Sequence, residues 1–284
     1  VYLLTGATGN IGRNLTDLLL AEGAAVRAVT RSPEKAGLPA AVDVVRADIG
    51  ADPASLAGAL DGVDTAFVNP AVLFGRDPSE LVDVLAKGGV RRIVLVSSQS
   101  VLPEDEPAHG MIAEVHRAWE AAVKGAVPEW TMLRPGEFAT NYVFQWGPQL
   151  RAGDVVRGPF AEAGIATIHE KDIADVAARA LLTDDHIGAA YELSGPAAVT
   201  NTEKARLLGE ALGRPIRYEE VPVEQARAAM VGAGVPESAV DALLGAFGAA
   251  VEHPQVPSPD VQRVTGRPGR TFAQWAADHT ADFS

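Results

Sequence analysis

A glycine-punctuated turn between a short apolar run and an amphipathic helix constrains this chain more than any other feature. Val1-Tyr2-Leu3-Leu4 leads through Thr5 into Gly6-Ala7-Thr8-Gly9-Asn10-Ile11-Gly12, which runs straight into Arg13-Asn14-Leu15-Thr16-Asp17-Leu18-Leu19-Leu20. A buried strand, a tight turn and a helix in that order form the opening of a dinucleotide-binding βαβ unit. In such a unit Gly6 permits the turn, Gly9 lets backbone approach a pyrophosphate, and Gly12 lets helix pack on strand. The unpaired N–H groups at the start of the helix attract the phosphates. Thr8, Asn10 and Ile11 complete the expected cradle.

The rest of the chain fits that opening. Val26–Val29, Val42–Val45, Thr65–Val68, Ile93–Val96 and Thr131–Leu133 read as short strands separated by amphipathic segments, the pattern of a parallel sheet with crossover helices. Asp77-Pro78-Ser79-Glu80 predicts a helix start and Gly88-Gly89 its end. After about residue 135 the alternation persists only around Asp172–Leu182 and Ala190–Leu193. Beyond it, Thr200-Asn201-Thr202-Glu203 predicts a capped helix ending near Gly213, and Val240, Leu243, Leu244, Phe247 and Val251 mark another at helical spacing. The expected fold is α/β, a Rossmann-type doubly wound parallel sheet with a smaller C-terminal substrate lobe. Residues 1–140, completed by about 170–195, are expected to form the dinucleotide-binding core, and 141–169 with 196–284 the lobe.

Composition narrows the function. With 24 Lys+Arg against 37 Asp+Glu the net charge is −13, and no basic run offsets it, so a nucleic-acid partner is not expected. The chain has no cysteine, which removes disulfides, thiolate metal sites and cysteine nucleophiles together. No apolar stretch approaches membrane-spanning length, and no charged n-region precedes an apolar h-region at the start, so neither membrane nor signal peptide is expected and the cytoplasm is the default. A homodimer is left open.

TGATGNIG close to the N-terminus resembles the atypical, extended-type short-chain dehydrogenase/reductases, in particular the NmrA-like family. Val94-Leu95-Val96-Ser97-Ser98, Thr131-Met132-Leu133-Arg134-Pro135-Gly136, Asp172-Ile173-Ala174-Asp175-Val176-Ala177 and Val264-Thr265-Gly266-Arg267-Pro268 are similar to that family's later landmarks. At the end of the second strand an NAD enzyme places an acidic residue on the ribose hydroxyls. This chain places Arg31 there, followed by Ser32 and Lys35, which favours the 2′-phosphate of NADP, although a solvated surface arginine would look the same. The resemblance assigns Asp48 and Ile49 to the adenine, although Asp48 alone would be an ordinary loop acid. Ser97 and Ser98 end the fifth strand at the sheet's carboxyl edge, where ligands of open α/β folds bind, and could equally be turn formers; Asn69 after the fourth strand and Pro135 and Phe138 after the sixth are likewise expected near the cofactor. The resemblance makes the segment with Tyr142 and Trp146 a wall of the substrate site, bordered by His169, with Ser98, Gln99 and Phe138 also expected there, although core packing explains the aromatics equally well.

The family's catalytic tyrosine and lysine, four residues apart on one helix, are replaced by Ile112 and His116, with Glu120 one turn further on. That substitution counts against a standard alcohol dehydrogenase, epimerase or dehydratase. A quinone or activated enone accepts hydride with little acid assistance, and NmrA-like quinone reductases also lack the tyrosine. His116 is the candidate for orienting the nicotinamide ribose or protonating product, and plain packing beside Val115 and Trp119 is its competing explanation. Tyr142, in an expected aromatic cluster with Phe144 and Trp146, is the one candidate substitute acid. His169-Glu170 opens like a zinc-protease helix, but Ile173 stands where the second histidine must ligate, so no metal is expected there. The resemblance implies an NADPH-dependent reductase of a small apolar acceptor (quinone, enone or reactive carbonyl). Its alternative is a redox-sensing regulator that binds the dinucleotide without turnover.

Overall fold

The computed structural model describes residues 1–73, 76–101 and 110–283. Its elements run β1 (Tyr2–Thr5), α1 (Asn10–Ala21), β2 (Val26–Thr30), β3 (Asp43–Arg46), β4 (Thr65–Val68), α2 (Ser79–Lys87), β5 (Arg92–Val96), α3 (Met111–Ala126) and β6 (Glu129–Pro135). There follow α4 (Asn141–Ala152), β7 (Val155–Gly158), α5 (Glu170–Leu182), β8 (Ala189–Leu193), α6 (Asn201–Leu212) and β9 (Arg217–Glu220). The chain closes with α7 (Val223–Gly232), α8 (Glu237–Glu252), α9 (Asp260–Thr265) and α10 (Phe272–Asp278). No helix among the described residues is long and apolar enough to cross a membrane.

Two compact units divide these elements. The first holds a seven-stranded sheet ordered β3-β2-β1-β4-β5-β6-β8, whose neighbours from β3 to β6 all pair parallel. This is the doubly wound α/β arrangement, with its order reversing between β1 and β4, where ligands of such sheets bind. β4 is buried at every position and β5 at four of five, so their sequences show no polar alternation, whereas β3, at the sheet's edge, is wholly unburied. Leu3, Leu56, Val68, Leu81, Ile93, Leu95, Trp119 and Met132 belong to one continuous core.

The second unit takes residues Gly136–His169 and Leu193–Ser284. Its core gathers Tyr142, Trp146, Leu150, Val156, Leu208, Phe272 and Trp275. β7 and β9 form a separate parallel pair. That pair was not legible in the sequence, because each strand is only four residues long and no residue of β9 is buried. α4 carries Pro148 inside it, which sequence rules read as a break. The expected helix at 201 does begin at Thr200, whose hydroxyl accepts from the Glu203 amide, and ends at Gly213 with φ of 68°. In α8 the expected apolar stripe is only partly internal: Val240 and Leu244 are buried, Leu243 and Val251 exposed.

Candidate functional site

At the first unit's switch point β1 ends in a turn built as the glycines require. Gly6 sits at φ 68°, and a Cβ there would meet Asn69, at the end of β4, at 3.4 Å. Asn69 is fixed in turn: its amide donates to Thr5 Oγ1 at 2.8 Å and its Oδ1 accepts from the Ala71 amide. Gly12 is the tightest position, since a Cβ would lie 2.2 Å from the Gly6 carbonyl and 2.6 Å from Ala7 Cα. Gly9 is the N-cap of α1 and offers no side chain to it; the first helical bond runs from the Arg13 amide to the Gly9 carbonyl at 3.0 Å. The amides of Asn10, Ile11 and Gly12 therefore lie ahead of the hydrogen-bonded ladder, the donor set that suits a pyrophosphate. Thr8 and Asn10 are exposed beside them, while the Ile11 side chain is buried.

Arg31 follows β2 directly, with an exposed side chain that bonds to none of the described residues; its carbonyl is engaged by Arg46 Nη1 at 2.5 Å. Ser32 opens a short 3-10 turn over Pro33–Lys35 without capping it by its hydroxyl, and the Lys35 amide bonds back to the Ser32 carbonyl. Arg31, Ser32 and Lys35 thus share one loop, and their side chains make no hydrogen bond to the described residues. The Asp48 carboxylate and carbonyl, after β3, accept from the Ala51 and Asp52 amides, and the Ile49 side chain packs into the core. The residue that sequence reasoning missed is Arg13. It bonds the Thr8 carbonyl at 3.0 Å and the Ala36 and Gly37 carbonyls at 2.9 and 3.0 Å. Its signal was a cation in a helix's first turn, where the helix dipole disfavours one.

On α3, Ile112 is exposed, Glu120 is 3 % exposed, and His116 lies between them in degree. Glu120 takes two bonds from Arg134 of β6, Nε to Oε1 at 2.8 Å and Nη2 to Oε2 at 2.7 Å, and a third from the Ser97 hydroxyl at 2.6 Å. Burial pushes its carboxyl up, but the bonds from Arg134 and Ser97 prevail and hold it below the usual carboxylate range. Ser97, expected at the cofactor, therefore commits its proton to Glu120. His116 Nδ1 is buried without a hydrogen-bond partner among the described residues, and burial lowers the imidazole's pKa from 6.5 against the pull of Glu120. Ser98 accepts from the amide and hydroxyl of Ser100, and the Gln99 amide bonds the carbonyl of buried Pro135.

In the second unit Phe138 is half-buried and pairs by backbone with Ile168. Tyr142 and Trp146 meet edge-on at 4.5 Å inside the core, but Phe144 is 75 % exposed. The expected three-ring cluster is corrected by helix geometry: residues 142 and 146 nearly eclipse, whereas 144 lies about 200° around the helix from 142. The Tyr142 hydroxyl sits 3.0 Å from Glu137 and receives Lys204 Nζ at 2.7 Å; Lys204 is fully buried and also reaches Glu137 at 3.3 Å. Burial and the Glu137 carboxylate raise the Tyr142 pKa well above 10, the wrong direction for an acid at neutral pH. His169 is 1 % exposed, with Nε2 3.3 Å from Asp278 and its ring 5.9 Å from that of His279.

Comparison with known proteins agrees with this geometry. A family profile described as NAD(P)H-binding matches residues 6–184. The (4-alkanoyl-5-oxo-2,5-dihydrofuran-3-yl)methyl phosphate reductase of Streptomyces griseus is 37% identical over 100% of this chain and 99% of its own length. The NAD(P)H azoreductase of Xenophilus azovorans is 32% identical, again over 100% of this chain and 99% of the relative. Among solved structures, the NADPH-dependent quinone oxidoreductase from Escherichia coli complexed with NADPH superposes with a TM-score of 0.79. It is 26% identical and covers 98% of this chain and 99% of its own.

Proposed function

Because this chain belongs to the NAD(P)H-binding, NmrA-like family of atypical short-chain dehydrogenase/reductases and is an NAD(P)H-dependent oxidoreductase, we propose that it reduces a small, largely apolar quinone, enone or reactive carbonyl, using NADPH in preference to NADH. The observation that carries the cofactor choice is Arg31, exposed and without a side-chain partner among the described residues, where an NADH enzyme needs a carboxylate. Bound NADPH supplies the hydride. The protein's part is placement. The amides of Asn10, Ile11 and Gly12 take the pyrophosphate, Arg31, Ser32 and Lys35 take the 2′-phosphate, and Asn69 limits how the turn sits against β4.

Chemistry at the acceptor follows from what α3 lacks. Ile112 brings no hydroxyl, and His116, its Nδ1 buried without a partner among the described residues and its pKa lowered by burial, is suited to hold a ribose hydroxyl rather than to drive a carbonyl reduction. An acceptor whose reduced form is already stabilised needs no more. Two relatives support that class: the azoreductase, and the Streptomyces enzyme, named for a substrate with a carbonyl-activated ring double bond. The test is NADPH oxidation by purified protein against quinones, enones and unactivated aldehydes, with NADH in parallel. Turnover of quinones or enones, faster with NADPH, is expected. Turnover confined to simple aldehydes, or none with any acceptor, would overturn the reading.

A further inference from the structure

Arg13 lies in the first turn of α1, exposed, and every bond its guanidinium makes is to a backbone carbonyl. One of those carbonyls, Thr8, belongs to the phosphate turn. The other two, Ala36 and Gly37, close the loop that carries Arg31, Ser32 and Lys35. Gly37 adopts φ of 55°, so the chain reverses there and consecutive carbonyls face the guanidinium. The opposite end of the loop has its own tether: Arg46 holds the Arg31 carbonyl and the Glu34 carboxylate. Between the two tethers lies the 3-10 turn of Pro33–Lys35, closed by the Lys35 and Ala36 amides.

We propose that Arg13 is a specificity-determining positioning residue, which fastens the 2′-phosphate loop to the pyrophosphate turn and so favours NADPH over NADH. The inference rests on the NADP reading above. Both cofactors carry the pyrophosphate, and only NADPH carries the group that Arg31, Ser32 and Lys35 would meet. A fastener between the two segments therefore matters most to the ligand that spans them. Arginine suits the task because its planar fork meets three carbonyls at once, which a lysine ammonium on a flexible stem does not reproduce. No carboxylate among the described residues bonds it, so its charge also offsets phosphate.

Arg13→Met and Arg13→Lys are compared with the unaltered protein by measuring the dissociation constants of NADPH and NADH directly, from the nicotinamide fluorescence, together with amide hydrogen exchange across residues 31–37. Both variants are expected to weaken NADPH about tenfold and NADH less than about threefold, with faster exchange in the loop. Equal weakening of both cofactors, or a lysine variant that restores NADPH binding completely, would overturn the positioning role in favour of turn support or charge alone. Unaltered protein that binds both cofactors equally would overturn the NADP reading itself and this inference with it. A preference present in the unaltered protein and unchanged in Arg13→Met would overturn this inference alone.

Discussion

His116 Nδ1 is buried with no hydrogen-bond partner among the described residues, as is Trp119 Nε1 on the same helix. Leaving a buried ring nitrogen unpaired is unfavourable by about 1–3 kcal/mol, a cost that a ligand hydroxyl at His116 would offset. His116→Gln is expected to lower turnover about tenfold or more while leaving the fold intact, measured by steady-state NADPH oxidation. Its pH signature has a definite sign. The folded protein lowers the His116 pKa below 6.5, so the unfolded chain binds the proton first, and stability is lost as pH falls through 6.5 and below. His116→Gln should flatten that limb of a stability-against-pH curve. At Gly12 the obstacle is backbone, the Gly6 carbonyl and Ala7 Cα, which cannot step aside as a flexible side chain would. Gly12→Ala is expected to cost about 3 kcal/mol in urea unfolding and to abolish cofactor binding. The glycines were legible in the sequence because spacing and context both identified them. Arg13 and the commitment of Ser97 to Glu120 were not, because each depends on partners that only the folded chain brings close.

Between elements, the Glu120–Arg134–Ser97 cluster ties α3 to the ends of β6 and β5. Breaking one partner of such a pair leaves a charge nearly buried and alone. Glu120→Gln is accordingly expected to destabilise the protein by about 3 kcal/mol in urea unfolding. A loss under about 1 kcal/mol would mean the cluster is dispensable. In the second unit Thr271 and Gln274 cap α10 reciprocally, and Thr271→Ala should cost about 1 kcal/mol. The sheet strands were legible because burial on both faces leaves uninterrupted apolar runs. β7, β9 and α4 were not: two strands too short and polar to show a period, and a helix that contains a proline. The aromatic segment shows the same limit, since the sequence displayed three rings and only helix geometry separates Phe144 from the other two.

At the scale of the whole molecule, a chain of net charge −13 binds a polyanionic cofactor through local arrangement and not through its overall field. The uncapped start of α1 and the exposed Arg31, Lys35 and Arg13 cations all lie in the first unit. The second unit invests its buried charge differently, in Lys204, Glu137 and the Tyr142 hydroxyl, which fasten α6, α4 and the segment after β6 to one another. The fold class was legible from the first twenty residues and the strand runs that follow them. Acceptor identity was not, because it depends on shape. Direct titration with NADPH and NADH, on the unaltered protein and on Arg31→Ala, tests the central claim most directly. NADPH is expected to bind at least about tenfold more tightly, with most of that margin lost in Arg31→Ala. NADH binding as tightly as NADPH, or a margin untouched by removing Arg31, would contradict the account.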